Sequence, residues 1–393
     1  MMQMLDTVAI TLNSNQFTII EPNKFTPSAE ILTSGKIIKG RIACTQHIKS
    51  KDQYFPRLTL SRVPTQYGVI ISLRIEASLP KLVYGNNFEE LGGADLSKVA
   101  WLLFWRLQEM GVKTSHQDLL KANVSAIHYS KNIMLGKYAT CSMIITELQK
   151  ANISKRLDIN RTVFINGGIA VKYHANSYEI AIYDKWADLQ QARISPKRGI
   201  ERDYDTQHTF IQQIKKSKPC EVLRLEIRFV KRTSLKAILK IIGWQGEMTL
   251  EALSSETVSQ KILQHYWQQI MAAWDVLAIA ENAPEDIFRA ITHAHPELKS
   301  SKIFQLTGAL LVARSVGIRG LRIMLNGTSD RTWQGLRKQI EEMKLPSGNK
   351  LLGISEVAAA LEKFTPLKSS DCFQYAIDIH DKNNKTRSIF VDG

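Results

Sequence analysis

Residues Ser177–Lys185, which read SYEIAIYDK, decide how the surrounding sequence folds. Side chains of a β-strand alternate between two faces, so the two isoleucines of this stretch point into a core. Tyr183 and Lys185 then lie side by side on the opposite face, with the glutamate and alanine that precede them. Such a pair can serve phosphoryl transfer, with the phenol oxygen of Tyr183 as the attacking atom. Lys185 would hold a phosphate or lower the pKa of the phenol. A tyrosine at a strand end is also common at a core edge, so its role depends on its neighbours.

The stretch is preceded by a hairpin signal. Asn166-Gly167-Gly168 readily supplies adjacent residues with positive φ, and this predicts a turn between Thr162–Ile165 and the strands that lead to Tyr183. We therefore expect an antiparallel sheet around the tyrosine. A helix is expected to begin at Lys185 or Trp186 and to run to Ala192, so that its first amide groups would bind the scissile phosphate.

The clearest further strand is Glu221–Arg232, EVLRLEIRFVKR. Apolar residues alternate here with Arg224, Glu226 and Arg228. A carboxylate between two arginines is either part of a cross-strand salt-bridge ladder or the floor of a site for anions and cations together.

Two more strand-like runs carry a residue that can bind a metal. Tyr67–Ser78 places Glu76 on one face, and Asn123–Ser130 places His128 on another. Neutral imidazole and carboxylate oxygen suit Mg²⁺ or Mn²⁺ when phosphate oxygens and water complete the shell. Each residue alone is more often an ordinary salt-bridged or hydrogen-bonded core residue, so a site requires that the fold bring them together.

With these motifs the sequence resembles the replication initiators of filamentous bacteriophages and related plasmids, the phage/plasmid replication protein family of gene II/X type. The match covers most of the chain. This family is distantly similar to the rolling-circle initiators of Gram-positive plasmids, which share a Y-D-K-like strand and an R-x-E-x-R strand. The stretches that carry the resemblance are Leu5–Ala9 (LDTVA), Phe55–Leu60 (FPRLTL), Ile75–Leu91 (IEASLPKLVYGNNFEEL), Val124–Asn132 (VSAIHYSKN), Lys172–Lys185 (KYHANSYEIAIYDK) and Glu221–Arg228 (EVLRLEIR).

The resemblance implies a site-specific, metal-dependent DNA endonuclease and ligase that forms a 5′-phosphotyrosyl bond. Tyr183 matches the nucleophile, and Glu226 and Glu76 match acidic ligands of Mg²⁺ or Mn²⁺. His128 stands where relatives often carry an aspartate, so this ligand departs from the family pattern. The stretches that carry the resemblance contain no His-hydrophobic-His pair of the kind that names the HUH nucleases, so kinship with them rests on site geometry.

The expected function is initiation of rolling-circle replication. The protein would bind double-stranded origin DNA, admit a single strand, and leave a free 3′-OH for host DNA polymerase, working beside a host helicase. Lys185, with Arg224 or Arg228, would neutralise the phosphate in the transition state. Termination would use a second cleavage by the same tyrosine or a second subunit, which makes a homodimer one expectation. Two alternatives stay open: a non-catalytic origin-binding repressor, and a related tyrosine transposase or relaxase.

Composition agrees with a polyanionic partner. The formal net charge is +15, and neutralising phosphates releases counterions. No run approaches the roughly 18 to 20 apolar residues of a membrane span, and Met1–Ile20 does not read as a signal peptide. The four cysteines are far apart without a C-x-x-C pair. We expect a protein of the bacterial host cytoplasm that makes no membrane contact.

The expected architecture is α+β, with a central antiparallel sheet of HUH-like type followed by a mainly helical region. Residues 1–243 form the predicted origin-nicking domain, and residues 244–393 the predicted helical domain. In the latter, Leu306–Leu325 reads as a helix, a Gly-centred turn and a helix bearing Arg319 and Arg322. That pattern predicts either a helix-turn-helix that binds DNA or an ordinary helical hairpin. The final residues Cys372–Val391 predict a closing β-hairpin.

Overall fold

The fold comes from a computed structural model. It describes residues 4–34, 38–44, 53–93, 95–153, 157–164, 166–194, 210, 218–280, 283–343, 345, 348 and 352–378. Within these ranges, no helix is both long enough and apolar enough to cross a membrane.

The centre of the molecule is a ten-stranded sheet in which all paired strands are antiparallel. Its strand order is β3-β4-β5-β6-β1-β8-β12-β11-β10-β9, and β2 and β7 form a separate pair. The predicted α+β class with a large antiparallel sheet is thereby confirmed. The strands are β1 (Leu5–Asn13), β2 (Phe17–Ile19), β3 (Phe25–Thr26), β4 (Gly40–Cys44), β5 (Arg57–Thr65), β6 (Gly68–Ser78), β7 (Val112–Thr114), β8 (Asn123–Leu135), β9 (Asp158–Val163), β10 (Ile169–His174), β11 (Tyr178–Asp184) and β12 (Glu221–Phe229).

The alternation predicted for β11 is confirmed. Ile180 and Ile182 are fully buried in the main core, and they lie opposite apolar residues of β12. The predicted turn is present, since Gly167 has a φ of 81° and the Phe164 N–H donates to the Gly168 carbonyl. Period-two burial thus gives the sheet one apolar face and one polar face.

Helices join and follow the strands, and some of them cover the apolar face of the sheet. They are α1 (Glu30–Thr33), α2 (Leu79–Tyr84), α3 (Asp95–Glu109), α4 (His116–Leu120), α5 (Cys141–Leu148), α6 (Lys185–Ile194), α7 (Arg232–Ile241), α8 (Leu250–Leu253), α9 (Glu256–Asp275), α10 (Pro284–Ala294), α11 (Ser300–Met324), α12 (Asp330–Glu342) and α13 (Leu352–Lys363), with residues 369–378 also helical. Buried residues of α5, α9 and α13 belong to the same core as the sheet. Tyr173 and Tyr129 on this face donate hydrogen bonds to the carbonyls of Leu148 and Leu253.

A second hydrophobic core lies further along the chain. It runs from Leu277 to Ile340 and is built from α10, α11 and α12. Because α9 and α13 pack with the sheet, the change of core comes after Asp275 rather than at Gly243. The domain division at Gly243 stays a prediction.

The break predicted within Leu306–Leu325 is present as a kink in α11. Gly317 has φ 79° and ψ 166°, and a Cβ there would lie 3.1 Å from the Lys150 backbone. Beyond the kink, Arg319 bonds Asn152 and the Leu157 carbonyl. Arg322 bonds the Thr328 carbonyl and Asp330. Both guanidinium groups therefore hold the protein's own backbone and side chains, and DNA binding by them stays a prediction.

The predicted terminal hairpin is wrong over the described residues. Residues 369–378 are helical, because a helix lets Cys372 pack beside Cys220 and Trp186 in a small apolar cluster. The second predicted strand lies outside the described residues.

Candidate active site on the polar face of the sheet

The polar face of the sheet gathers most of the predicted site residues. Antiparallel register places side chains of paired residues on the same face, so three neighbouring strands fix their order. The rows across β11, β12 and β8 are Tyr183–Arg224–Asn132, Ala181–Glu226–Ser130 and Glu179–Arg228–His128.

Glu226 is the centre of this group and is only 1% exposed. Its Oε2 accepts a hydrogen bond from the Tyr183 hydroxyl at 2.9 Å. Arg228 donates to both carboxylate oxygens, at 2.8 and 3.0 Å. The Nδ1 atom of His128 lies 3.4 Å from Oε1. The opposing residue on β11 is Ala181, whose small side chain leaves room for these four groups to meet.

The electrostatics of this group favour a carboxylate and a protonated phenol. Burial opposes ionisation of Glu226, but the charge and hydrogen bonds of Arg228, with a hydrogen bond from His128, hold its pKa well below the usual range. Burial and the Glu226 charge raise the pKa of Tyr183 well above its ordinary value. The tyrosine is therefore an oriented hydrogen-bond donor at neutral pH, and its use as a nucleophile requires removal of the proton.

Asp6 joins the cluster and was missed by the sequence argument. The register between β1 and β8 shifts between Leu5 and Thr7, so Asp6 is the extra residue of a bulge. Its Oδ1 atom has no hydrogen-bond partner among the described residues, although Arg224 Nη2 lies 3.3 Å away. One ligand atom from each of Asp6, His128 and Glu226 lies within 4.8 Å of the others. The available signal was the one charged residue of an otherwise uncharged strand.

Glu76 does not join this cluster, which corrects the predicted ligand set. It lies opposite Ala9 on β1, and Ala9 lies opposite Ala126 on β8. Glu76 thus lies two strands away from His128, and its row across the sheet meets β8 at Ala126, two residues before His128. Its carboxylate pairs instead with Arg74 at 3.0 Å. Register, which the sequence does not display, decides this difference.

Lys185 is the first residue of α6, so the helix predicted to follow Tyr183 is confirmed. The lysine is fully buried, and its Nζ has no hydrogen-bond partner among the described residues. It lies 3.8 Å from Asp188 Oδ2 and 6.0 Å from the ring centre of Tyr183. Burial and the nearby charge of Arg224 lower the pKa of Lys185 to about 7. This position suits an effect on the phenol better than direct contact with a phosphate.

The start of α6 is not open to a ligand in the predicted way. The Asp184 carboxylate accepts the Ala187 amide at 3.0 Å, so a side chain already caps this first turn. Phosphate binding by these amides would require Asp184 to release one of them.

Arg224 is buried, contrary to its predicted contact with DNA. Its guanidinium donates to the Asn87 carbonyl at 2.9 Å and to Ser130 Oγ at 2.8 Å. The loop that carries Asn87 also binds Asn132 through Glu90 and Phe88. Arg224 therefore positions Asp6 and this loop beneath the surface.

The exposed side of the site is formed by partly exposed residues. Arg228 is 26% exposed and bonds Glu179 at 2.7 Å, while Lys172 lies 3.3 Å from the same Glu179 oxygen. His128 is similarly exposed, whereas Tyr183 keeps only 6% of its surface. A ligand would first meet Arg228 and His128 and then the edge of the tyrosine.

A second acidic group does not suit a metal. Cys141, Asp184 and Glu221 offer atoms within 4.8 Å of one another. Lys218, however, bonds Asp184 at 2.8 Å and Glu221 at 2.6 Å, so an ammonium already neutralises both carboxylates. Burial and the neighbouring carboxylates of Asp184 and Glu221 raise the pKa of the Cys141 thiol, which opposes thiolate ligation.

The first group fits a hard divalent cation better. It offers two carboxylates and an imidazole, and the orphaned Asp6 oxygen lacks the partner that a buried acceptor ordinarily has. Glu226 could share an oxygen with a metal only if Arg228 released it. Because Arg228 is partly exposed, a bound phosphate could draw it away.

Comparison of the chain with protein-family models, with curated proteins and with solved structures found no match. The resemblance to replication initiators therefore stays a prediction from the sequence.

Proposed function

We propose that the protein is a metal-dependent DNA strand transferase that nicks one strand through Tyr183 and initiates rolling-circle replication. The observation that carries the proposal is the 2.9 Å hydrogen bond from the Tyr183 hydroxyl to Glu226, inside a cluster with Asp6 and His128. A buried, oriented phenol beside grouped metal ligands matches the needs of phosphodiester transesterification.

The substrate would approach over the partly exposed edge of the site. A backbone phosphate would compete with Glu226 and Glu179 for the Arg228 guanidinium, which is suited to planar, bidentate binding of phosphate. The net charge of +15 supports a polyanionic substrate. Arg228 is thus the residue proposed to neutralise the reacting phosphate.

In the reaction, the Tyr183 oxygen forms a bond to phosphorus while the bond from phosphorus to the 3′ oxygen breaks. The phenol loses a proton and the leaving 3′ oxygen gains one, so the products are a 5′-phosphotyrosine and a 3′-OH. Mg²⁺ or Mn²⁺ held by Asp6, His128 and Glu226 would supply Lewis-acid stabilisation of the phosphate charge. Lys185, whose pKa is about 7, has a neutral amine available near neutral pH to receive the proton of the phenol.

The covalent intermediate conserves the energy of the broken phosphodiester, so the reverse reaction reseals DNA without ATP. The free 3′-OH would prime synthesis by the host polymerase. A non-catalytic repressor would share the basic charge but would form no adduct. A transposase or relaxase would form the adduct at a transposon end or a transfer origin.

The test is adduct formation with a random pool of single-stranded oligonucleotides in Mn²⁺. We expect a protein–DNA adduct that survives denaturation, is lost in EDTA and is absent from Tyr183→Phe. Tyr178→Phe, which changes a tyrosine on the same strand, is the matched control. Sequencing the captured DNA identifies the cleaved site and separates an origin from a transposon end. A wild-type protein that forms no adduct under these conditions would leave the repressor as the better explanation.

The pH dependence adds a second test. The adduct rate of the wild type should rise as Lys185 loses its proton through pH 7, and Lys185→Met should remove that rise. An identical pH profile in both proteins would exclude Lys185 as the proton acceptor.

A further inference from the structure

Strands β5 and β6 form a two-stranded arm at the side of the sheet. Among the described residues, pairing with β4 stops at Arg62 and pairing with β1 stops at Ser72, so residues Val63–Ile70 extend beyond these paired positions. We call Ser61–Ser72 the β5–β6 arm. Its tip is the pair Thr65–Gly68, where Gly68 has a φ of 120° and has open space around it.

The tip of the arm is apolar although it faces solvent. Tyr67 is 91% exposed, and Val69 and Ile70 are about half exposed. Val63 lies opposite Ile70 on the same side of the arm. Exposed apolar residues that cluster on a projecting element indicate a contact with another molecule.

The base of the arm is basic on the face that carries the candidate active site. Pairing places Arg41 beside Ser61 and Ser72, and places Arg74 and Arg57 further along the same face. The unbroken register of β6 with β1, and the pairing of Thr7 with His128, put this face in line with His128. Within the described residues of β4, β5 and β6, the one acid is Glu76, which pairs with Arg74. The combination of positive charge and small hydroxyl side chains complements a phosphate backbone rather than an apolar protein surface.

We infer that the β5–β6 arm binds double-stranded DNA, with its arginines on the phosphates and its apolar tip in a groove. A two-stranded ribbon fits the major groove, which is about 12 Å wide, and apolar side chains there contact the methyl group of thymine. This inference extends the proposed function, because it gives the enzyme a duplex contact separate from the strand that it cleaves.

The arm also sets the distance between the two contacts. Ser78 is level with His128 through Thr7, and Ile70 lies eight residues before Ser78 on β6. At about 3.4 Å per residue, the apolar tip is about 27 Å from the level of His128. Since base pairs rise by about the same 3.4 Å, the arm would grip duplex about eight base pairs from the level of His128.

The experiment measures binding rather than cleavage, so it does not depend on Tyr183 chemistry. Fluorescence anisotropy would follow the full-length protein on a 5′-labelled 30-base-pair duplex of random sequence and on one of its single strands. Tyr67→Ser/Ile70→Ser should weaken duplex binding about tenfold, the scale of one lost base-pair contact, and leave single-strand binding within about twofold. Tyr138→Ser/Val163→Ser removes two equally exposed apolar side chains elsewhere and should change neither.

The arginines are tested through salt. Arg41→Ala/Arg74→Ala should reduce the slope of log affinity against log salt by about two for the duplex, because each phosphate contact contributes about 0.9. Arg41→Lys/Arg74→Lys should restore the slope, and Arg289→Ala, which removes an exposed arginine of α10, should leave it unchanged. Unchanged duplex binding in both arm variants would overturn the inference.

Sedimentation velocity separates DNA from the other candidate partner, a second copy of the chain. We expect the tip variant to keep the oligomeric state of the wild type. A tip variant that dissociates while binding DNA normally would assign the arm to self-association and overturn the inference. If the arm variants lose duplex binding and no adduct ever forms, the duplex contact stands and the nicking function fails.

Discussion

Lys185→Met should stabilise the protein, although Lys185 lies at the centre of the candidate site. The side chain is fully buried, and its ammonium lacks a hydrogen-bond partner among the described residues. Lowering the pKa of Lys185 from its ordinary 10.5 to about 7 costs folding about 4 kcal/mol at pH 7, since a tenfold difference in proton affinity is worth about 1.4 kcal/mol. Methionine has a similar shape and carries no charge, so the substitution removes this cost.

The direction in which stability changes with pH follows from proton binding. Between pH 7 and 10.5 the unfolded chain keeps a proton on Lys185 that the folded protein has released, so raising the pH stabilises the wild type. The advantage of Lys185→Met should therefore fall from about 4 kcal/mol at pH 7 to about 2 kcal/mol at pH 9. Urea denaturation of both proteins at the two pH values gives these differences directly.

Lys131→Met is the matched control, since Lys131 is also buried but bonds Glu90 at 2.7 Å. Removing it leaves the Glu90 carboxylate without its cation and should cost about 3 to 5 kcal/mol. A Lys185→Met protein that is no more stable than the wild type at pH 7, or whose gain does not change with pH, would refute the burial argument.

Two further predictions concern ligands and backbone. Asp6→Asn should raise the Mn²⁺ concentration needed for half-maximal adduct formation at least tenfold, whereas Glu76→Gln should change it by no more than about twofold. A Mn²⁺ titration of the rate compares the two variants. Equal increases would return Glu76 to the set of proposed ligands. Gly317→Ala should lower the free energy of unfolding by about 2 kcal/mol, because its φ and ψ are accessible essentially to glycine alone. A Cβ at Gly308, in the same helix, would meet no atom within 4 Å, so Gly308→Ala should raise the free energy of unfolding by about 0.5 to 1 kcal/mol. Equal changes for the two variants in urea denaturation would contradict the non-helical conformation of Gly317.

Local sequence pattern predicted what period-two alternation and turn chemistry determine. The burial of Ile180 and Ile182, the turn at Gly167 and the start of α6 at Lys185 were all predicted. Each depends on residues within a few positions of one another. Only the family resemblance placed Tyr183 and Glu226 in one site, since their contact depends on the register between β11 and β12.

The remainder depended on long-range register and on loops. Asp6 reaches the site through a bulge in β1, and Glu76 misses it because β6 pairs two residues out of step. Arg224 was predicted on an exposed face, but the loop at Asn87 covers it. Apolar alternation suggested a strand near Cys372, yet packing against Cys220 makes that segment helical. None of these outcomes follows from propensity or periodicity alone.

The most direct test of Tyr183 as the nucleophile is to identify the residue that carries DNA after reaction. The wild-type protein would be incubated with the random oligonucleotide pool and Mn²⁺, digested with nuclease and protease, and analysed by tandem mass spectrometry. If Tyr183 is the nucleophile, its side chain carries a nucleotide mass joined through a 5′-phosphate, and this mass disappears when the reaction contains EDTA. A nucleotide on any other residue, or cleaved DNA with no modified tyrosine, would contradict the assignment of Tyr183 as the nucleophile.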